Sequence, residues 1–312
     1  MATAVRSIRA FREHYLPGTD AHPRGGSVKV TFYGTSTLLF DDGSTQILID
    51  ACITRPAMET LLASLNSGKA LIQTDPAMVD GWLARPEVGQ IAAMFVAHSH
   101  HDHAIDVAYI ANHTGAQVHG SESTLNIARG GGVPEGQLSR YRLWVPVQVG
   151  DFTVTVLPGR HPPNPPPLTD DRDLTIDAPL PQPAAFADYV EGGSFAFLIE
   201  HGGHTTLVQV PSYVIGVLEE VRAEVLFLSV VPIRIGGRRH TDTFYDQIIG
   251  AVKPRLVIPV HWDHFTEPVS GDLVPLSAEI PAKFDDLLAR LQKDGIGFGI
   301  MQGYQSVMLF GN

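Results

Sequence analysis

The amino-acid sequence predicts an α/β fold with layered sheets in a single domain. Short runs rich in β-branched and aromatic residues recur along the chain, stretches with helical spacing lie between them, and no linker divides residues 27–312. The chain has 312 residues, of which 44% are hydrophobic, so it can bury a large core of its own. Its one cysteine, Cys52, excludes an intramolecular disulfide and fits a reducing compartment.

The first predicted elements precede residue 98. Residues 1–26 are polar and end in a Pro-Arg-Gly-Gly run, so we expect a tail or covering arm. The pattern then predicts three antiparallel strands, a helical and loop-like stretch, and a buried strand, at residues 28–33, 37–40, 46–50, 52–90 and 91–97.

The second half repeats the alternation of strands and helices. Strands are predicted at residues 117–119, 152–157, 194–200, 205–210, 225–231, 256–260 and 305–310. Helices are predicted at residues 123–129, 241–252 and 281–293. Residues 158–193 contain two proline clusters and are expected to form a loop. Such a loop is either a lid over a site or a floppy surface insertion.

Charge narrows the range of partners. The chain has 22 Lys and Arg against 33 Asp and Glu, a formal net charge of −11, which argues against binding to long nucleic acid.

The N-terminus lacks the apolar segment of a signal peptide, and no apolar run of about 18 residues suggests a membrane-spanning segment. We expect a soluble, cytoplasmic protein, and the sequence leaves a homo-oligomer open.

The strongest chemical signal is the run His-Ser-His-His-Asp-His at residues 98–103, directly after a buried strand. An extended segment there points His98, His100 and Asp102 to one side, and the turn into the next helix can bring His103 inward. Imidazoles and a carboxylate are ligands that zinc prefers, so we expect a metal site rather than a merely solvated histidine run. His101 should point away and take no part.

This pattern resembles that of the metallo-β-lactamase superfamily. The resemblance covers nearly the whole chain from Ser27 and implies a four-layered αβ/βα sandwich with two metals between the sheets. The opening strands are similar to those of the branch that contains ascorbate-phosphate lactonase and N-acyl-phosphatidylethanolamine phospholipase D. In that branch further histidines follow a mid-chain and a late strand, which His161 and His261 match.

The resemblance also implies the ligands. One metal would be held by His98, His100 and His161, and the other by Asp102, His103 and His261. Zinc is expected, with one or two ions, and manganese or iron are alternatives. From the residues alone, only the cluster at 98–103 is supported, and His161 could instead stabilise the proline-rich segment. From its place at a strand end near the site, Asp50 is expected to orient a ligand histidine from behind. His264 is expected either at the surface or behind the ligands rather than as a ligand.

His240 is a second candidate catalytic residue beside Asp102. It lies in an expected loop before a helix that should begin at Thr241 or Asp242, and the related phospholipase has a histidine in a similar place. It could donate a proton to a developing oxyanion or leaving group, or simply face solvent. Three nearby arginines could clamp an anionic group, and they are Arg234, Arg238 and Arg239.

The function implied is that of a metal-dependent hydrolase. A metal-bound hydroxide would attack an ester, a lactone or a phosphodiester of a small molecule or lipid-derived substrate. Two alternatives stay open. One is an iron-dependent redox enzyme on the same fold, and the other is a metal-binding member without turnover.

Ser212 departs from the pattern because the superfamily has a bridging aspartate near this position. Without that negative charge, two cations about 3.5–4 Å apart repel more strongly, so the second metal should bind weakly. Ser212→Asp is therefore expected to raise affinity for the second ion, measured by calorimetric titration of the apo-protein. Two equally tight sites in the unmodified protein, or no gain in the variant, would contradict this alignment of the strand.

Overall fold

Two mixed β-sheets face each other in the computed structural model, which describes residues 8–67, 70–163, 170–211, 213–214, 220–235 and 238–310. The strands are β1 (Val28–Phe32), β2 (Leu38–Asp41), β3 (Gln46–Ile49), β4 (Ile91–Phe95), β5 (Gln117–Gly120), β6 (Leu138–Arg140), β7 (Pro146–Val149), β8 (Phe152–Arg160), β9 (Ser194–His201), β10 (His204–Gln209), β11 (Tyr213–Val214), β12 (Val225–Ser229), β13 (Leu256–Val260), β14 (Gly297–Phe298) and β15 (Ser306–Leu309). The α-helices are α1 (Met58–Ser67), α2 (Pro76–Leu83), α3 (His101–Ala104), α4 (Val107–Thr114), α5 (Glu122–Gly130), α6 (Val231–Ile235), α7 (Arg238–Tyr245) and α8 (Ile280–Lys293).

Each sheet combines antiparallel and parallel strand pairs. The first has the order β15-β1-β2-β3-β4-β5-β6, antiparallel up to β3 and parallel from β3 to β6. The second has the order β11-β8-β9-β10-β12-β13-β14, parallel from β10 onward, with β7 paired to β8. The antiparallel arrangement predicted for the first three strands is confirmed.

Three hydrophobic clusters separate four layers. One lies between the two sheets and includes the edge-to-face pair Phe40 and Phe227, whose ring centroids are 5.9 Å apart. A second lies between the first sheet and helices α1, α2, α4 and α5, and a third lies between the second sheet and helices α6, α7 and α8. Because both faces of each sheet are covered, central strands such as β1 and β12 are buried at every residue instead of alternating. The predicted layered α/β architecture is confirmed.

Residues 8–14 form a 3₁₀ segment that packs on this core. Phe11 is buried and contacts Phe284 of α8 edge to face, with centroids 5.6 Å apart. The Leu16 amide donates to the Ile300 carbonyl at 3.0 Å, which joins the segment to the chain before β15. The described part of the polar N-terminus thus covers the core next to α8.

The structure corrects several sequence-based boundaries. Strand β8 continues to Arg160 because Gly159 and Arg160 pair with neighbouring strands, so the loop expected from residue 158 begins after it. Helix α7 begins at Arg238, so the expected loop before Thr241 is wrong. Four short strands were missed, namely β6, β7, β11 and β14, because two to four residues are too few to show a period.

Among the described residues, no helix combines the length and the apolar character that a membrane crossing requires.

The contact between the sheets provides a test of the core. Phe227→Ala should lower the free energy of unfolding by about 3–5 kcal/mol, because it leaves a cavity opposite Phe40. Urea unfolding measures the change. Leu62→Ala on α1 is the control, since Leu62 is 47% exposed and its loss should cost less than about 0.5 kcal/mol. Equal losses for the two variants would contradict this account.

Candidate metal centre

The strand ends bring the histidine-rich segment to one edge of the two sheets. His98 and His100 lie in the loop after β4, and the short helix α3 then carries Asp102 and His103. His161 directly follows β8, and His261 directly follows β13. The carboxyl ends of parallel strands in open α/β sheets are where such sites form, so the fold itself gathers these side chains.

The first group consists of three imidazoles. The ring centroids of His98 and His100 are 4.7 Å apart, those of His98 and His161 are 4.8 Å apart, and those of His100 and His161 are 4.7 Å apart. One ring nitrogen from each lies within 4.8 Å of the others. This nearly equilateral arrangement brings three nitrogen donors close enough together to hold one metal ion.

Hydrogen bonds decide which nitrogen of two of these rings stays free. His161 Nδ1 donates to the Pro162 carbonyl at 2.7 Å, which leaves Nε2. His100 Nε2 lies 2.9 Å from the Asp171 carboxylate, and a carboxylate can only accept, so Nδ1 is left. Both ring nitrogens of His98 are buried and have no hydrogen-bond partner among the described residues. Unpaired buried nitrogens are costly unless a ligand satisfies them, so these residues fit a metal ion.

The second group consists of Asp102, His103 and His261, whose donor atoms lie closer together than those of the first group. Nε2 of His103 lies 3.1 Å from Nε2 of His261, and Oδ2 of Asp102 lies 3.3 Å from Nε2 of His261 and 3.7 Å from Nε2 of His103. Ligands about 2.0–2.1 Å from a tetrahedral zinc ion are separated by roughly 3.3 Å, which is close to these spacings. The two groups adjoin, because the ring centroids of His98 and His103 are 3.8 Å apart.

Burial and neighbouring groups shift the pKa values of several donors. Burial lowers the pKa of His98 well below its ordinary value, with further lowering by neighbouring His103. Burial also lowers the pKa of His161, to about 3. Burial opposes ionisation of Asp102, but His103 and a hydrogen bond to His261 hold the pKa of its carboxyl well below the ordinary value. The centre therefore offers His98 and His161 as neutral imidazoles and Asp102 as a charged carboxylate, whereas Asp50 and Asp102 raise the pKa of His103 against the opposing effect of burial.

Asp50 orients one ligand candidate, as the sequence led us to expect. Its Oδ2 accepts from His103 Nδ1 at 2.8 Å and from the Ser36 hydroxyl at 2.5 Å, while Oδ1 accepts from the Ala97 amide at 2.6 Å. Because Nδ1 of His103 is committed to Asp50, Nε2 faces the second group. Asp50 has a φ of 56°, in the left-handed region, and these three bonds hold it there.

The remaining candidates lie elsewhere or outside the described residues. His101 is buried beside Phe186 and Phe265, outside both groups, and burial lowers its pKa to about 4. His264 Nδ1 pairs with the Thr266 hydroxyl at 2.8 Å. Ser212 lies outside the described residues, as do the side chains of His240, Arg234, Arg238 and Arg239.

A buried ion pair next to the second group was missed from the sequence. Arg55 Nη1 lies 3.1 Å from Asp263 Oδ2, and both side chains are 1% exposed. Asp263 Oδ1 accepts from the Thr35 amide at 2.7 Å, and the Thr35 carbonyl accepts from the His261 amide at 2.6 Å. The pair therefore fixes the backbone that carries His261. Asp263 is close to a flagged histidine in the sequence, but nothing there indicates its partner Arg55.

Two acidic residues of the 170–193 segment also reach the first group. Asp171 contacts His100, and its pKa is lowered by that hydrogen bond in spite of the opposing effect of burial. Glu191 Oε1 accepts from the Ser194 hydroxyl at 2.6 Å and from the His161 amide at 3.3 Å. Burial raises the pKa of Glu191. No spacing rule links these acids to the histidine run, so only the folded chain reveals them.

Comparison with known proteins agrees with this fold. A UPF0173 metal-dependent hydrolase from Anaeromyxobacter sp. (strain K) is 24% identical over 271 residues, which cover 85% of both chains. The metallo-β-lactamase fold protein YhfI from Bacillus subtilis superposes with a TM-score of 0.53 at 14% identity, covering 91% of this chain and 100% of that one. No protein-family model matches the chain.

A second similar structure is that of a diiron enzyme. The diiron β-hydroxylase CmlA from Streptomyces venezuelae has a TM-score of 0.53 and 13% identity, over 92% of this chain and 55% of that one. The chain has the metallo-β-lactamase fold and is similar in sequence to curated metal-dependent hydrolases. Membership of the narrower lactonase and phospholipase branch stays a prediction.

The ion pair behind His261 yields a prediction. Asp263→Ala should lower the free energy of unfolding by about 3–5 kcal/mol, because it leaves the Arg55 charge buried and unpaired. Chemical unfolding of the metal-free protein measures this. Asp272→Ala is the matched control, since Asp272 pairs with Arg9 at the surface and should contribute less than about 1 kcal/mol. If the two losses are similar, the buried pair does not hold this loop.

Proposed function

We propose that this protein is a metal-dependent hydrolase that acts on an ester, a lactone or a phosphodiester of a small molecule or lipid. The observation that carries the proposal is the pair of adjoining donor groups, with His98 buried between them and both of its ring nitrogens without a partner among the described residues. Its curated relative named as a metal-dependent hydrolase supports the same reaction class.

We assign the metal ligands from the ring nitrogens that take no part in hydrogen bonds. The first metal would be held by Nδ1 of His100 and Nε2 of His161 together with His98, and the second by Asp102, His103 and His261. Zinc suits three imidazoles well, and manganese or iron are the alternatives. The second site has one carboxylate and two imidazoles, so its charge depends on Asp102 staying ionised.

A bound divalent ion would supply the chemistry by lowering the pKa of a coordinated water towards 7 and by polarising the substrate's oxygen. The protein's own groups set the direction of approach. His98 and His103 are buried, whereas His100 and His161 are half-buried. Substrate should therefore enter from the side of His100 and His161. Asp102 would accept a hydrogen bond from the attacking water and orient it.

His240 stays our candidate for the proton donor to the leaving group. Its backbone lies in the first turn of α7, which comes after β12 and the short helix α6, and β12 ends at the same sheet edge as β13 and His261. His240→Gln should reduce turnover more for substrates with poor leaving groups than for activated ones. An equal effect on both substrate types would remove His240 from that role.

An iron-dependent redox enzyme is the second candidate, because the similar CmlA structure belongs to a diiron β-hydroxylase. Elemental analysis of protein purified without chelator or affinity metal, together with an optical spectrum, would separate the two. Zinc with hydrolysis of model esters, lactones or phosphodiesters supports the hydrolase. Iron with a visible absorption band and no hydrolysis would overturn it. Full metal content without turnover would instead indicate a metal-binding member.

His100→Ala is expected to lower metal content by about one equivalent and to reduce hydrolysis at least 100-fold, because it removes one of three ligands of the first metal. Metal per protein is measured by elemental analysis and activity with a panel of model substrates. His113→Ala is the matched control, since His113 is exposed at the end of α4 and stacks on Tyr109. Full metal occupancy in the His100 variant would refute the ligand assignment.

A further inference from the structure

Residues 170–193 form a strap that is fixed at several points. The Ile176 amide donates to the Ser123 hydroxyl at 2.9 Å, and the Asn126 side-chain amide donates to the Ile176 carbonyl at 2.7 Å. The Leu180 amide donates to the Asn126 carbonyl at 2.9 Å. These bonds attach the strap to helix α5. The part of the proline-rich region that follows residue 169 is therefore anchored rather than a floppy insertion.

The strap also meets the loop that carries the first donor group. The Ser99 amide donates to the Glu191 carbonyl at 2.9 Å. Next to it, Gly192 has a φ of +66°, and a Cβ there would lie 2.4 Å from Ser123 Cβ and 2.8 Å from Ser99 Oγ. Only glycine permits so close an approach. This end of the strap is packed directly against the segment between His98 and His100.

Asp171 connects the strap to the donor group itself. Its Oδ2 lies 2.9 Å from His100 Nε2, and the two side chains are 13% and 14% exposed. A turn holds Asp171 in place, because its carbonyl accepts from the Leu174 amide at 2.9 Å and the Leu174 carbonyl accepts from the Gly192 amide at 3.1 Å. The chain thus forms a closed path from His100 through Asp171, Leu174 and Gly192 back to the loop of His100.

The contact has a chemical consequence for His100. With Nε2–H donated to a carboxylate, the lone pair of Nδ1 is the one left free to bind a metal. His161 has the opposite arrangement, with Nδ1–H donated to the Pro162 carbonyl. A carboxylate behind a metal-bound imidazole fixes its tautomer and raises its basicity.

We propose that Asp171 is a positioning residue that makes His100 bind metal through Nδ1 and that links the strap to the metal centre. The proposal rests on the metal-binding part of the proposed function. Because the contact is mutual, a metal held by His100 restrains the strap through Asp171, and the strap in turn strengthens metal binding. Residues of the strap thereby affect metal binding although they are not ligands.

The test compares zinc binding by wild type, Asp171→Ala and Asp170→Ala, using competition with a chromophoric chelator. Asp170 is the matched control, because it lies next to Asp171 but pairs with Arg172 at the surface. Asp171→Ala should weaken zinc binding about 10–100-fold, the usual effect of removing such a partner, and Asp170→Ala should not. Unchanged affinity in Asp171→Ala would overturn the proposal.

Two further measurements test which nitrogen of His100 binds the metal and whether the metal restrains the strap. Long-range ¹H–¹⁵N spectra of the zinc-loaded protein should show His100 protonated at Nε2 and metallated at Nδ1, and metallation at Nε2 would overturn the proposal. Hydrogen exchange at the Leu174 and Gly192 amides should slow when zinc is added to wild type, and this slowing should vanish in Asp171→Ala. If zinc still slows exchange at these amides in Asp171→Ala, Asp171 does not connect the strap to the metal centre.

Asp171→Asn is a control for a folding defect in Asp171→Ala. Its amide oxygen can still accept the Nε2–H, so it should keep Nδ1 metallation with an affinity between those of wild type and Asp171→Ala. Affinity equal to or above that of wild type would count against the carboxylate. If wild type itself binds no zinc or other divalent ion, the proposed function falls together with this inference. If wild type binds zinc and Asp171→Ala binds it equally tightly, this inference alone falls.

Discussion

The buried carboxylate of Asp50 is the contact on which the centre depends. It joins the end of β3 to the loop after β1, through Ser36, and to the end of β4, through the Ala97 amide. It also fixes the ring of His103. A buried carboxylate needs such donors to offset its lost hydration, and here each donor belongs to a different segment of the site. One group thereby sets the backbone and the metal-facing nitrogen together.

A second constraint is electrostatic. The centre packs five imidazoles and Asp102 at an edge where burial keeps His98 and His161 neutral. Nitrogen atoms as close as those of His103 and His261, 3.1 Å apart, repel unless a proton or a cation lies between them. Supporting carboxylates stand behind the rings, with Asp50 at His103 and Asp171 at His100. The arrangement suits a cation in the middle and negative charge around it.

The local signals in the sequence were sufficient for much of the fold and for the core of the site. The run at residues 98–103 was recognisable because ligand-type residues at a strand end leave a local pattern, whereas His161 and His261 were predicted only through the resemblance to a known family. Short strands such as β6 and β7 escaped notice, and the start of α7 was placed too late. Elements of three or four residues depend on pairing with neighbours, which leaves little trace in the sequence itself.

By itself, the sequence determined the layered α/β class and predicted the ligand candidates at residues 98–103, because periodicity and motif spacing are properties of adjacent residues. Only the tertiary structure decided which nitrogen of each ring is free, through Asp171 at His100, Pro162 at His161 and Asp50 at His103. It also paired Arg55 with Asp263, which lie 208 positions apart. Such partners meet only when the two sheets close on each other, since hydrogen bonds and ion pairs act over a few ångströms in space and not along the chain.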